Sequence, residues 1–124
     1  MYQIMARPEL NLLEVDLGGL MSVAEVGEYM AALRSAFVAS RLRAGYRLLI
    51  DVSRCPVQSQ EMVGAMRAHM GGFPKAGRIA MVVGSSLAKM QVRRLMTQSY
   101  ARIFTDALEA RDWVLSPEQD TAAA

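Results

Sequence analysis

The feature that most limits what this chain can become is the run Leu48-Leu49-Ile50, closed by Asp51-Val52-Ser53. Three apolar residues in succession present no wet side, so the run suits a strand covered on both faces. Strands of that kind sit at the centre of parallel sheets flanked by helices. Asp51 then stands at the carboxyl edge of the sheet, where open α/β folds gather their functional groups. One strand thus points the whole chain towards an α/β architecture.

The flanking segments agree with it. Tyr2 to Ala6 and Leu10 to Leu17 read as two strands joined tightly at Arg7-Pro8-Glu9. In the second, Leu13, Val15 and Leu17 alternate with Glu14 and Asp16, which predicts a strand near the sheet edge with its acids in solvent. Ser22 with Glu25 forms a capping box before a helix that runs to about Leu42, with Val23, Val26, Met30, Leu33 and Phe37 as its core stripe. Gly45 stops it. A second helix follows from Gln60 to Met70, ended by Gly71-Gly72 and Pro74. Arg78 to Val83 is a further buried strand, and Leu87 to Gln98 a third helix. Tyr100 to Phe104 and a helix capped by Asp106 complete the order ββαβαβαβα. That order predicts a mostly parallel sheet of about five strands, with right-handed crossovers and the first strand as an antiparallel edge. The domain is read as residues 1–116, with 117–124 as a frayed tail.

Composition narrows the function classes. At 124 residues, 52% apolar and 21% charged, the chain is one globular domain. No apolar run approaches the ~20 residues that span a bilayer, and the Met1-Tyr2-Gln3-Ile4 start lacks the pattern of a signal peptide. Cys55 is the only cysteine and His69 the only histidine, which excludes an intrachain disulfide and a Cys/His zinc site. A cytoplasmic location is the expectation. Between Arg34 and Arg102 the only acids are Asp51 and Glu61, while every Lys and Arg except Arg7 and Arg111 falls in that interval. Folded, these charges either interleave into a solvated face or make a basic surface for phosphate, an anionic membrane or an acidic protein.

Catalytic patterns are weak. Asp51 with Ser53 invites comparison with a phospho-acceptor site, but the further clustered acids that its metal needs do not appear. Cys55 and His69 lack an evident acid to orient them as nucleophile and base. Gly84-Ser85-Ser86 sets hydroxyls at a helix N-terminus, an anion-binding geometry that capping alone also explains. No phosphate-loop, dinucleotide or nucleophile-elbow motif is present. The ridge Met62, Met66, Met70 falls four apart on the second helix, either as core packing or as an adaptable apolar surface. On the third helix, Ala88, Val92, Leu95 and Met96 face inward, leaving Lys89, Arg93 and Thr97 around Met90 with Arg94 at one flank. Cations around an exposed methionine suit an anionic lipid surface.

The element order and the edge Leu48-Leu49-Ile50-Asp51-Val52-Ser53 resemble the STAS fold of anti-sigma-factor antagonists, and more closely the small SpoIIAA-like proteins. The best local likeness is Phe104-Thr105-Asp106 with Glu109-Ala110-Arg111-Asp112-Trp113-Val114, similar to the family's Phe-x-Asp and Glu-Ala-x-x-Trp-Leu closing helix. The antagonists carry Asp-Ser-Ser-Gly-Leu with a phosphorylatable serine after the third strand. Here the acceptor position falls on Gln60, and the adjacent Ser59 has no acid before it and no glycine after it. Ser59 therefore reads as a helix cap. The resemblance implies a non-enzymatic binding role; separately, no metal or cofactor is expected.

The expected role is binding of a small lipophilic ligand or a membrane surface. Its candidate contacts are Met62, Met66 and Met70, with Asp51, Ser53, Ser85 and Ser86 at the sheet edge. Lys89, Met90 and Arg93 are the candidate contacts for anionic lipid, which would place the protein peripherally at a membrane. The alternative is a protein-interaction module of bacterial regulation that lacks the serine switch, with a homodimer among its forms. Nucleic acid is not an expected partner.

Overall fold

The computed structural model describes residues 1–55, 60–96 and 98–117, apart from the side chains of Gln60, Met62, Val63, Met70 and Leu95. Its strands are β1 (Tyr2–Arg7), β2 (Leu12–Gly18), β3 (Arg47–Arg54), β4 (Arg78–Val82) and β5 (Ala101–Phe104). They form one sheet in chain order, with β1 antiparallel to β2 and every other pair parallel. Helices α1 (Val23–Ala39), α2 (Gln60–Met70), α3 (Ser86–Leu95) and α4 (Ala107–Leu115) make the connections and the close. The mixed sheet with an antiparallel edge is the architecture expected from the residues, and β3 is its centre.

Each side of the central strands meets a different layer, because successive side chains leave a strand on opposite faces. Leu13, Val15 and Leu17 share one face with Leu48, Ile50, Ile79, Met81 and Val83, under α1, α2 and α3. Leu12, Leu49, Ala80 and Val82 share the other with Ala110 and Val114 of α4. This is why Leu48, Leu49 and Ile50 are all apolar: the strand faces two cores. Burying a Leu or Ile side chain of this kind contributes about 1.5–3 kcal/mol.

Local signals placed the helices well. Ser22 Oγ accepts from Glu25 N at 3.1 Å and Glu25 Oε1 accepts from Ser22 N at 3.0 Å, a complete capping box. Asp106 Oδ1 accepts from Leu108 N at 2.8 Å to start α4. The ends are shorter than periodicity suggested. Helix α1 stops at Ala39 and not Leu42, because Ser40 turns its hydroxyl back to Ala36 O at 2.6 Å and Arg41 takes a left-handed φ of 55°. Helix α3 stops at Leu95, three residues before the expected Gln98.

Two further expectations are corrected. Arg7-Pro8-Glu9 is not a bare tight turn: Pro8–Leu10 form a 3-10 turn, closed by Asn11 at φ 52°. Asn11, buried at 7% exposure, accepts from Arg43 N at 2.8 Å and donates to Arg43 O at 3.4 Å, tying the loop after α1 to the start of β2. Glu14 is not in solvent either. Arg7 of β1 and Arg111 of α4 both pair with it, the latter at 2.8 Å, so the wet face of β2 is closed by an ion triplet. The tail expected at 117–124 lies outside the described residues beyond Pro117.

Candidate functional site

Among the described residues, the inner face of the sheet is not closed over. Helix α4 lies against β3, β4 and β5, whereas the main backbone neighbour of α2 is α1. A cavity of about 140 Å³ remains between the sheet and α1, α2 and α3. Tyr29 and Met30 of α1, Met66 of α2, Val92 of α3 and Ile50 and Met81 of the sheet are among its walls. Natural cores rarely keep voids larger than a water molecule. Met66 is itself buried at 8% exposure, so the ridge residue belongs to the core and borders the space within it.

One side of the cavity is built by the segment after α2. Tyr46 donates its hydroxyl to Pro74 O at 2.7 Å. Its ring meets Phe37 edge-on at 4.8 Å, and Phe37 meets Phe73 at 5.7 Å. These contacts hold residues 73–76 along the cavity. Exposed Pro74 and Lys75 line it there, with the Lys75 ammonium 5.2 Å from the centre of the Tyr100 ring. The cavity therefore reaches the surface at this segment.

The walls are electrically quiet. Burial pushes the Tyr46 phenol up to about 12 and raises that of Tyr29 further, so both stay neutral at any ordinary pH. Burial also raises the Cys55 thiol, which lines the cavity as a neutral group and not as a thiolate nucleophile. Gln98 contributes a polar side chain whose Oε1 is sealed from solvent with no hydrogen-bond partner among the described residues. Among those residues, no group of three or more His, Cys, Asp or Glu side chains converges as a metal site requires.

The other candidate residues lie elsewhere. Asp51 does not end its strand: β3 continues to Arg54, and Asp51 leaves the sheet on the α4 side, away from the cavity. Its Oδ1 accepts from Ser53 N at 2.8 Å and from Ser53 Oγ at 2.6 Å, so the pair closes on itself. Ser85 caps α3 by accepting from Ala88 N at 3.0 Å, and Ser86 is exposed as its first residue. Gly84 before them has no room for a side chain, since a Cβ would stand 2.5 Å from Ser53 O. Met62 and Met70 belong to α2, but their side chains lie outside the described set. Ser59 and Thr97 also lie outside the described residues. His69 is exposed in the last turn of α2.

On α3, the outward face differs from expectation in composition. Leu87 is 61% exposed and Met90 54%, with Arg93 and Arg94 exposed on the same side. Lys89 is half-buried at the flank. Leu87 was hidden in the sequence because its place in the first turn depends on where the helix begins. Gln98 also lines the cavity, from the turn beyond the end of α3 at Leu95. No helix of the described residues is long and apolar enough to cross a membrane.

Among solved structures, the chain is similar to an uncharacterised protein of the DUF3478 family from Shewanella loihica PV-4, described as having a SpoIIAA-like fold. The likeness covers 92% of both chains at a TM-score of 0.66 and 16% sequence identity. It establishes the fold that the residues resembled: this chain has a SpoIIAA-like α/β fold. No protein-family model matches the chain, and no curated protein sequence does.

Proposed function

We propose that this SpoIIAA-like domain is a binding module that holds a small lipophilic molecule between its sheet and α1, α2 and α3. The observation that carries the reading is the apolar cavity of about 140 Å³ beside Met66. Apolar walls that face unfilled space lack dispersion partners there, and an apolar guest supplies them. Binding sites are typically concave and mainly apolar, with a few polar groups to orient the guest. Gln98 and Lys75 stand where such groups would be useful.

Toluene is a suitable probe, since an engineered apolar cavity of ~150 Å³ admits benzene. Saturating toluene should raise the melting temperature and slow the reaction of Cys55 with a small thiol reagent. Ala88→Leu, which extends a cavity wall into the space, should remove both effects. Unchanged melting and unchanged Cys55 reactivity with toluene present would defeat the reading.

The outer face of α3 favours a second, compatible reading, contact with an anionic membrane surface. Leu87 and Met90 offer apolar tips to the interfacial region, and Arg93 and Arg94 offer charge to anionic headgroups. Since Ala88 and Val92 of the same helix line the cavity, a lipophilic guest delivered by a membrane would meet α3 from both sides.

A further inference from the structure

The charge where the cavity meets the surface narrows the chemistry of the guest, on the premise that the cavity is a binding site. Among the described residues that line it, Lys75 alone is charged, and none is Asp or Glu. The other polar walls are neutral groups: the phenols of Tyr29, Tyr46 and Tyr100, the thiol of Cys55 and the amides of Gln91 and Gln98. Phenol, thiol and ammonium groups all bring donors, and Lys75 has three with no acceptor of its own.

Lys75 is exposed on the segment where the cavity reaches the surface. Its ammonium lies 5.2 Å from the centre of the Tyr100 ring and makes no ion pair among the described residues. A ring face attracts a cation without neutralising it. Arg34 repeats the arrangement beside the same segment. Its guanidinium lies 5.5 Å from the ring of Phe73, another wall residue, and it too has no acidic partner among the described residues. Between residues 34 and 102 the only acids are Asp51, on the α4 side of the sheet, and Glu61, in the first turn of α2. The mouth therefore carries an uncompensated positive field.

A charge carried in among the apolar walls would lose its hydration, so an anionic group stays at the rim while the apolar body enters. A cationic guest would meet Lys75 and find no acid. The space of about 140 Å³ is close to the ~150 Å³ known to hold one benzene ring, which sets the size of the body. A single cation among the wall residues matches a single negative charge. We infer that the ligand is a small lipophilic carboxylate, with a body of about one ring in the cavity and its carboxylate at the mouth against Lys75.

Benzoate, benzamide and benzylammonium share one ring and differ in charge. Transfer from water alone ranks both ions behind the amide, so a preference for benzoate has to come from the site. Titration calorimetry of the unaltered protein at low salt should show benzoate binding about fivefold tighter than benzamide, the most that an exposed ion pair usually gives. Benzylammonium should bind more weakly than either. Sodium chloride at about 1 M should erase most of the benzoate margin. Lys75→Gln should erase it as well, and the ratio of the two probes within each protein is insensitive to a general loss of fold. Ala88→Leu, which extends a wall into the space, should remove benzoate binding and so tie it to the cavity. Benzamide or benzylammonium binding as tightly as benzoate, or toluene binding where benzoate does not, would overturn the carboxylate and leave the cavity reading intact. Phenyl phosphate binding ahead of benzoate would overturn it in favour of a phosphate ester. Failure of all these probes, toluene included, would overturn the cavity reading too.

Discussion

Filling the cavity should stabilise the protein, and Ala88→Leu is the change that tests this most directly. Ala88 is buried on α3 and lines the cavity. Leucine adds three carbons, which at about 0.8 kcal/mol per buried methylene contribute about 2.4 kcal/mol if all enter empty space. Ordering the leucine side chain costs about 0.5–1 kcal/mol, and leucine is nearly as good a helix former as alanine. The net expectation is about 1.5 kcal/mol of added stability, or about 5 °C in melting temperature for a domain near this size. Urea unfolding should show a higher midpoint with an unchanged slope. Were the same region close-packed, the added carbons would force off-rotamer neighbours and destabilise by about 1–3 kcal/mol. The two outcomes differ in sign. A loss of 1 kcal/mol or more would refute the cavity as a usable space.

Met66→Ala works in the opposite direction: it should cost about 2–3 kcal/mol by denaturant unfolding, the low end for buried methionine, because Met66 already faces a void on one side. A cost near 5 kcal/mol would mean that its surroundings are fully packed. For the α3 surface, Arg93→Glu with Arg94→Glu should abolish sedimentation with anionic vesicles and leave the melting temperature nearly unchanged. Each cation contributes about 1 kcal/mol there, and added salt should remove the binding of the parent protein; equal sedimentation of mutant and parent would mean the face is merely solvated. Burial raises the pKa of Tyr46 to about 12 and that of Tyr29 above its ordinary value as well, so their contribution to stability is complete below about pH 10 and is lost as pH climbs through 12. Tyr46→Phe should flatten part of that alkaline decline in a pH series of melting curves, and an identical decline in the variant would count against the assignment.

Much of the framework was legible before any coordinates, because it follows from local rules. Leu48-Leu49-Ile50 could satisfy its apolar side chains only between two layers, and β3 lies between them. Ser22 with Glu25 and Asp106 with Leu108 mark helix starts through bonds that span three residues or fewer. What tertiary structure alone decided is whether distant groups meet and whether packed groups touch. Glu14 reads as a solvent-facing acid within its own strand, and Arg111, 97 residues on, is what takes it out of water. Asp51 sits on the expected strand, but the parity of the pleat sends it to the α4 face, where it bonds Ser53 and not a ligand in the cavity. The methionine ridge marked an apolar site at Met66 and left open whether space remains beside it. Tyr29, Met30, Ile50 and Met66 keep the same periodicity whether the space among them is filled or empty. Only the distance at which α2 packs beside α1 above the sheet determines which it is.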